Sequence, residues 1–190
     1  DFMYYFKLND PSASMGTLKF SKGNFIASSI PTNLIDPVVI DYDFMEVFSP
    51  PAAASNYDFD SLFIPFRCPA SDIESKKEVV FRKGQLGMAV RASMTYPFYL
   101  KPIRIDGKLM FDGGLYNNYP ANIMYYDFLP DVIIGCNVSE NELPPEEDDL
   151  MSLLKNMILY KTNFESSCEQ TVLVQPISEV GTFDFDRMGE

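Results

Sequence analysis

The residues whose types and spacing best suit chemistry are Asp112, Gly113 and Gly114, within the stretch MFDGGLYNNYP from Met110 to Pro120. The apolar approach Leu109, Met110 and Phe111 reads as a strand that delivers the Asp112 carboxylate to its end. Two consecutive glycines then allow backbone angles and close approaches that other residues resist. Ligands of open α/β sheets gather outside the carboxyl ends of strands, so a carboxylate there suits general-base work or ligand binding. The same residues read equally well as a tight turn whose Asp bonds its own backbone, because Asp and Gly dominate turns for conformational reasons.

Other candidate groups carry less. The chain has no histidine, which removes Ser-His-Asp triads, Cys-His dyads and HExxH metal sites from what these residues can supply. Catalysis must run on carboxylates, hydroxyls, Lys, Tyr or backbone. Asp41 with Asp43, Asp58 with Asp60, and Asp184 with Asp186 have DxD spacing, but none is followed by the Gly and terminal Glu of a calcium loop. No metal or cofactor is expected. Asn117 and Asn118 read as bonding the turn after Gly114, and Ser93 and Thr95 as structural hydroxyls with no activating base nearby. Paired carboxylates for glycoside hydrolysis stay open in principle, because separation in space cannot be read from spacing.

Composition sets the frame around these residues. A chain of 190 residues that is 46% hydrophobic and 22% charged reads as one packed domain over residues 1–190. Its formal net charge of −12 repels phosphate backbones, so nucleic acid is not an expected partner. No run is long enough to span a bilayer, and no signal segment opens the chain. It begins at Asp1 and not at a methionine, from which we expect a piece whose natural N-terminus lies upstream. Cys68, Cys136 and Cys168 are odd in number and lack CxxC spacing, which reads as buried free thiols in a reducing, cytoplasmic compartment.

The elements that must position Asp112 follow from pattern. Asp1 to Phe6 reads as the tail of an upstream element, Thr17 to Phe20 as a short strand, and Phe25 to Ala54 as one or two helices punctuated by prolines. Phe44, Met45, Val47 and Phe48 there read as core. Leu62 to Ala70 reads as a buried strand, paired through a Ser71 to Lys77 link with Glu78 to Phe81. An amphipathic helix is expected over Gly84 to Met94, ended by Pro97. Asp106 and Gly107 sit between two apolar runs, the strongest short hairpin signal, and the second run ends at Asp112. Pro120 opens a helix that closes before Pro130, and Asp131 to Val138 reads as a strand buried on both faces. An acidic loop, Pro144 to Asp149, leads into a helix over 148–164; Thr171 to Gln175 is a further strand and Thr182 to Asp186 a last short one. Helix followed by apolar strand is the grammar of a sheet covered by helices.

Five ordered segments carry a family resemblance: PFRCPASDI (Pro65 to Ile73), KEVVFRKG (Lys77 to Gly84), AVRASMTYPFYLKPI (Ala89 to Ile103), DGGLYNNYP (Asp112 to Pro120) and PDVIIGCNVS (Pro130 to Ser139). Together they resemble the later two-thirds of a patatin-like phospholipase domain. DPSASMGTLKF (Asp10 to Phe20) and GTFDFDR (Gly181 to Arg187) are similar to a bacterial subgroup. The resemblance implies a three-layer α/β sandwich with a central, mostly parallel sheet, incomplete at the N-terminus. It implies a lipid acyl hydrolase of phospholipase A or esterase type, acting through a Ser-Asp dyad on a lipid or acyl-ester substrate, with peripheral membrane contact. Asp112 matches the dyad Asp, and Gly113 and Gly114 complete its motif. The nucleophilic Ser of a GxSxG elbow is absent from these 190 residues, so this piece alone is expected to be inactive. The other implied reading is a catalytically inactive patatin-fold protein-interaction module.

Overall fold

The computed structural model describes residues 33–139, 153 and 156–176. Their element order is β1 (Asn33–Ile35), α1 (Val38–Ala54), a 3-10 turn (Phe59–Ser61), β2 (Cys68–Asp72), β3 (Lys77–Phe81), α2 (Leu86–Ser93), β4 (Phe98–Leu100), β5 (Ile103–Ile105), β6 (Lys108–Asp112), a second 3-10 turn (Gly113–Leu115), α3 (Ala121–Phe128), β7 (Val132–Cys136) and β8 (Gln170–Val174). The mixture is α/β. The strands read at Thr17 to Phe20 and Thr182 to Asp186, the segment Asp1 to Phe6, the acidic loop at Pro144 to Asp149 and the pair Asp184 with Asp186 lie outside the described residues.

The largest sheet among the described residues is antiparallel, in the order β3-β2-β6-β5. Its register places Ala70 opposite Asp112 and Ser71 opposite Phe111, and Met110 opposite both Asp72 and Ile103. The β5–β6 hairpin turns where the sequence places it, with Asp106 and Gly107 both at positive φ, the conformation a two-residue hairpin needs. Parallel pairing joins β1 to β4 and β7 to β8.

Helix α2 packs on β2 and β6, burying Ala92 against Ala70 and Met110, and its Leu86 and Ala89 pack with Ala52, Phe59 and Cys68. Leu86, Ala89 and Ala92 recur every third residue, which puts them on one helical face. Helix α1 lies against α2 and contains Pro50 and Pro51. These prolines cannot donate to the carbonyls one turn back, but the Ser55 N–H bonds the Pro51 carbonyl at 3.0 Å and the helix closes normally. Phe44 and Phe48 are half-buried on α1, whereas Met45 and Val47 face solvent, so only two of those four residues pack.

Three elements differ from the pattern reading. Strand β2 begins only at Cys68; Phe63 and Ile64 are exposed, because Pro65 has no N–H and Arg67 turns aside to Asp60 and Asp127. Strand β7 buries one face: Ile133 and Gly135 are covered by Tyr119 and its neighbours, and Ile134 is 76% exposed on the other. The helix read over 148–164 stops early, since 156–158 are helical and 159–166 are not. The Tyr160 N–H bonds the Leu115 carbonyl at 3.2 Å, which ties the chain after that helix to the Asp112 turn.

Candidate active site

Asp112 ends β6 and caps the 3-10 turn Gly113–Leu115. Its backbone N–H bonds the Thr95 carbonyl at 3.0 Å, so the segment after α2 holds the strand end in place. Its Oδ1 accepts the Gly114 N–H at 2.7 Å. That is the turn geometry the bland reading requires, and it leaves Oδ2 without a hydrogen-bond partner among the described residues.

Both glycines are needed for close approach. A Cβ on Gly113 would lie 2.5 Å from the Pro69 carbonyl oxygen on β2, and one on Gly114 would lie 2.6 Å from Asn118 Oδ1. The first contact is with backbone, which cannot swing away, so Gly113 fixes how tightly the turn lies on β2.

Burial raises the Asp112 carboxyl above the ordinary carboxylate range, and the Gly114 N–H partly opposes this by bonding the charged form. The apolar surroundings come from the turn itself. Leu115 is buried, Phe111 and Tyr116 are half-buried, and the Tyr116 ring meets that of Tyr160 with centroids 5.5 Å apart. Burial, then Tyr160 and Asp72, push the Tyr116 phenol upward, which keeps it neutral. Leu115 also joins Tyr96, Pro97, Phe98, Ile158 and Leu159 around a small apolar crevice. A carboxylate whose basicity is raised by desolvation, with one oxygen pinned and the other unbonded, is equipped to take a proton from a donor placed against it.

The remaining sequence candidates separate from this site. Asn117 Nδ2 donates to Glu78 at 2.7 Å and Asn118 Nδ2 to Thr162 at 3.1 Å, so both side chains tie the turn to neighbouring segments and not to itself. Ser93 lies beside the Cys68 thiol, which burial pushes up to about 11. Thr95 is fully buried and its hydroxyl donates to the Arg91 carbonyl at 2.7 Å. Asp41 pairs with Arg91, Asp60 with Arg67, and Asp58 caps the first 3-10 turn, so these DxD carboxylates hold protein groups. Among the described residues no cluster of three or more His, Cys, Asp or Glu could hold a metal ion, and no helix is long and apolar enough to cross a membrane. Cys68, Cys136 and Cys168 are free thiols; Cys136 is exposed, which corrects the expectation that all three are buried.

Pattern reading missed Arg91 and the backbone carbonyl of Thr95. The only sequence signal was the i, i+4 spacing of Arg91 and Thr95 at the end of a helix.

The sequence pattern that defines the patatin-like phospholipases matches residues 1–125, a span that includes Asp112, Gly113 and Gly114. The chain belongs to the patatin-like phospholipase family. Its curated relatives agree. An uncharacterized NTE family protein of Mycobacterium tuberculosis is 23% identical over 148 residues, covering 63% of this chain and 25% of that protein. A second NTE family protein of the same organism is 33% identical over 90 residues, covering 47% of this chain and 24% of its own. Patatin-like phospholipase domain-containing protein 6 of Mus musculus is 32% identical over 102 residues, 48% of this chain and 8% of the mouse protein. The patatin-like chain thus matches about a quarter of the length of its mycobacterial relatives, and less of the mouse one.

Proposed function

We propose that the intact protein is a lipid acyl hydrolase, of phospholipase A or esterase type, in which Asp112 is the general base of a Ser-Asp dyad. The serine would come from outside these 190 residues, because no Gly-X-Ser-X-Gly occurs within them. The observation that carries the reading is the Asp112 carboxyl: partly buried, shifted upward, pinned through Oδ1 to Gly114 and open at Oδ2, inside the span that matches the family. The three-layer sandwich with a mostly parallel central sheet belongs to the same proposal, with β7 and β8 as two of its parallel strands.

In this mechanism Oδ2 of Asp112 takes the serine hydroxyl proton as the serine oxygen attacks the ester carbonyl carbon. Collapse of the tetrahedral adduct breaks the bond to the leaving alcohol, which receives the proton from Asp112 and departs, leaving an acyl-serine. Asp112 then takes a proton from water as the water oxygen attacks the acyl carbon, and returns it to the serine oxygen as the fatty acid leaves. The raised basicity of a desolvated carboxylate serves both deprotonations, since an ordinary Asp with a pKa near ~3.9 is a weak base. The substrate is a lipid or acyl ester, met by peripheral contact with a membrane. No cofactor takes part.

Hydrolysis of phosphatidylcholine and of a soluble aryl ester by the intact encoded protein tests the reading. Asp112→Asn is expected to abolish both, and full activity in that variant would sink it. The other reading is an inactive patatin-fold interaction module. An Ala or Gly at the elbow position of the intact protein would decide for that module.

A further inference from the structure

Behind the Asp112 turn lies a buried cation that the proposed chemistry does not use. The Arg91 side chain is 3% exposed and three acceptors share its guanidinium. Nε donates to Asp41 Oδ1 on α1 at 2.7 Å, Nη1 to the Thr95 hydroxyl at 2.5 Å and Nη2 to the Lys101 carbonyl at 2.9 Å. The Thr95 hydroxyl in turn donates to the Arg91 carbonyl. A buried charge is tolerated only when its donors are satisfied, and this planar group holds three acceptors at once.

Two of those acceptors, at residues 95 and 101, bracket one short segment. Its first residue, Thr95, gives the carbonyl that accepts the Asp112 N–H at 3.0 Å. Its middle residues, Tyr96, Pro97 and Phe98, line the apolar crevice beside Leu115. Phe98 lies at φ +70, a conformation uncommon for a non-glycine residue and held only where the surroundings over-determine it. Arg91 clamps both ends of this strained segment, and the segment holds the strand end that carries the carboxyl.

We propose that Arg91 is a positioning residue for Asp112, acting through Thr95 to fix the strand end and through Lys101 to fix the crevice wall. The proposal rests on the dyad reading for its catalytic consequence but not for its structural one, and the experiment separates the two. In the intact encoded protein, Arg91→Lys keeps a cation for Asp41 but cannot reach three acceptors. Thr95→Val keeps the carbonyl and the shape while removing the hydroxyl link. Each variant is followed by ester-hydrolysis kinetics and by amide exchange at Asp112, with the Phe59 amide, bonded to the Arg82 carbonyl at 3.0 Å, as a reference for global opening.

For Arg91→Lys the expected result is a fall in kcat of about 10- to 100-fold with KM within about twofold, because small misplacement of a catalytic group costs rate at that scale. The Asp112 amide should exchange at least about tenfold faster at unchanged Phe59 protection, and Thr95→Val should move both readouts in the same direction by less. If both folded variants keep wild-type kcat and wild-type Asp112 exchange, or if KM alone rises, the proposal is overturned. If instead the wild-type protein hydrolyses no ester, the dyad reading fails, and the exchange rate at Asp112 still decides whether Arg91 holds it.

Discussion

The parallel pair β7–β8, VIIGC and QTVLV, is more apolar in sequence than the antiparallel sheet β3-β2-β6-β5, yet it is the antiparallel sheet that holds the better-buried strands among the described residues. Met110 in β6 is 1% exposed, packed between Ala70 and Ala92 and fringed by Ile103 and Ile105. Every residue of β8 is exposed, and β7 buries only alternate residues under Tyr119 and Cys168. The contrast follows from connectivity. Hairpin neighbours and α2 are local in sequence and enclose their own strands, whereas a parallel pair needs covering elements from elsewhere in the chain. The carboxyl proposed for catalysis sits in the enclosed region, where desolvation can raise its basicity.

The largest expected effect contrasts the two sheets directly. Met110→Ala should cost about 2–5 kcal/mol in denaturant unfolding, and Ile134→Ala less than about 0.5 kcal/mol. A large loss at Ile134 would mean that the outer face of β7 is covered in the intact protein.

Next come the two close approaches. A Cβ at Gly113 meets the Pro69 backbone, and one at Gly135 would overlap the Tyr119 hydroxyl. Gly113→Ala should cost about 3 kcal/mol and Gly135→Ala nearer to about 1 kcal/mol, because a tyrosine ring can tilt and a strand backbone cannot. Equal losses would show that Tyr119 is held as rigidly as β2.

A smaller effect probes the link between the regions. Asp127 on α3, beside β7, accepts from Arg82 at 2.7 and 3.0 Å and from Arg67, whose guanidinium also lies 4.4 Å over the Phe128 ring. Those two arginines hold its carboxyl down to about 2. A depressed carboxylate stabilises above its unfolded value and loses that contribution as pH falls toward 2. Asp127→Asn should therefore cost about 1.5 kcal/mol at neutral pH and much less in acid, read from unfolding curves at several pH values.

The smallest effect concerns Asp112 itself. Because burial raises its carboxyl, the folded state binds the proton more tightly than the unfolded chain, and stability falls as pH rises through the two values. Asp112→Asn should remove that slope, leaving the variant equal to wild type in acid and slightly more stable at neutral pH. Loss of stability at neutral pH would favour the plain turn over the catalytic group.

How much of this was legible in the sequence depended on how local each signal was. The Asp106-Gly107 hairpin, α2 and the Pro120-opened α3 follow from residues within a few positions of each other. The single covered face of β7 was not legible, since an apolar run does not say which face meets a partner. The strand read from Leu62 failed because Arg67 is drawn away to Asp60 and Asp127, the latter 60 residues on. At the site, the DGG motif marked Asp112, but neither its open Oδ2 nor the Thr95 carbonyl that holds its N–H could be read from spacing, because both depend on how α2 meets β6.

The most direct test is the rate of ester hydrolysis by the intact encoded protein, compared between the wild type and the Asp112→Asn variant. If Asp112 is the dyad base, the substitution should lower kcat by about 10²-fold or more, in line with the loss of a general base, while the protein stays folded. A folded Asp112→Asn protein that hydrolyses esters at the wild-type rate would contradict the account.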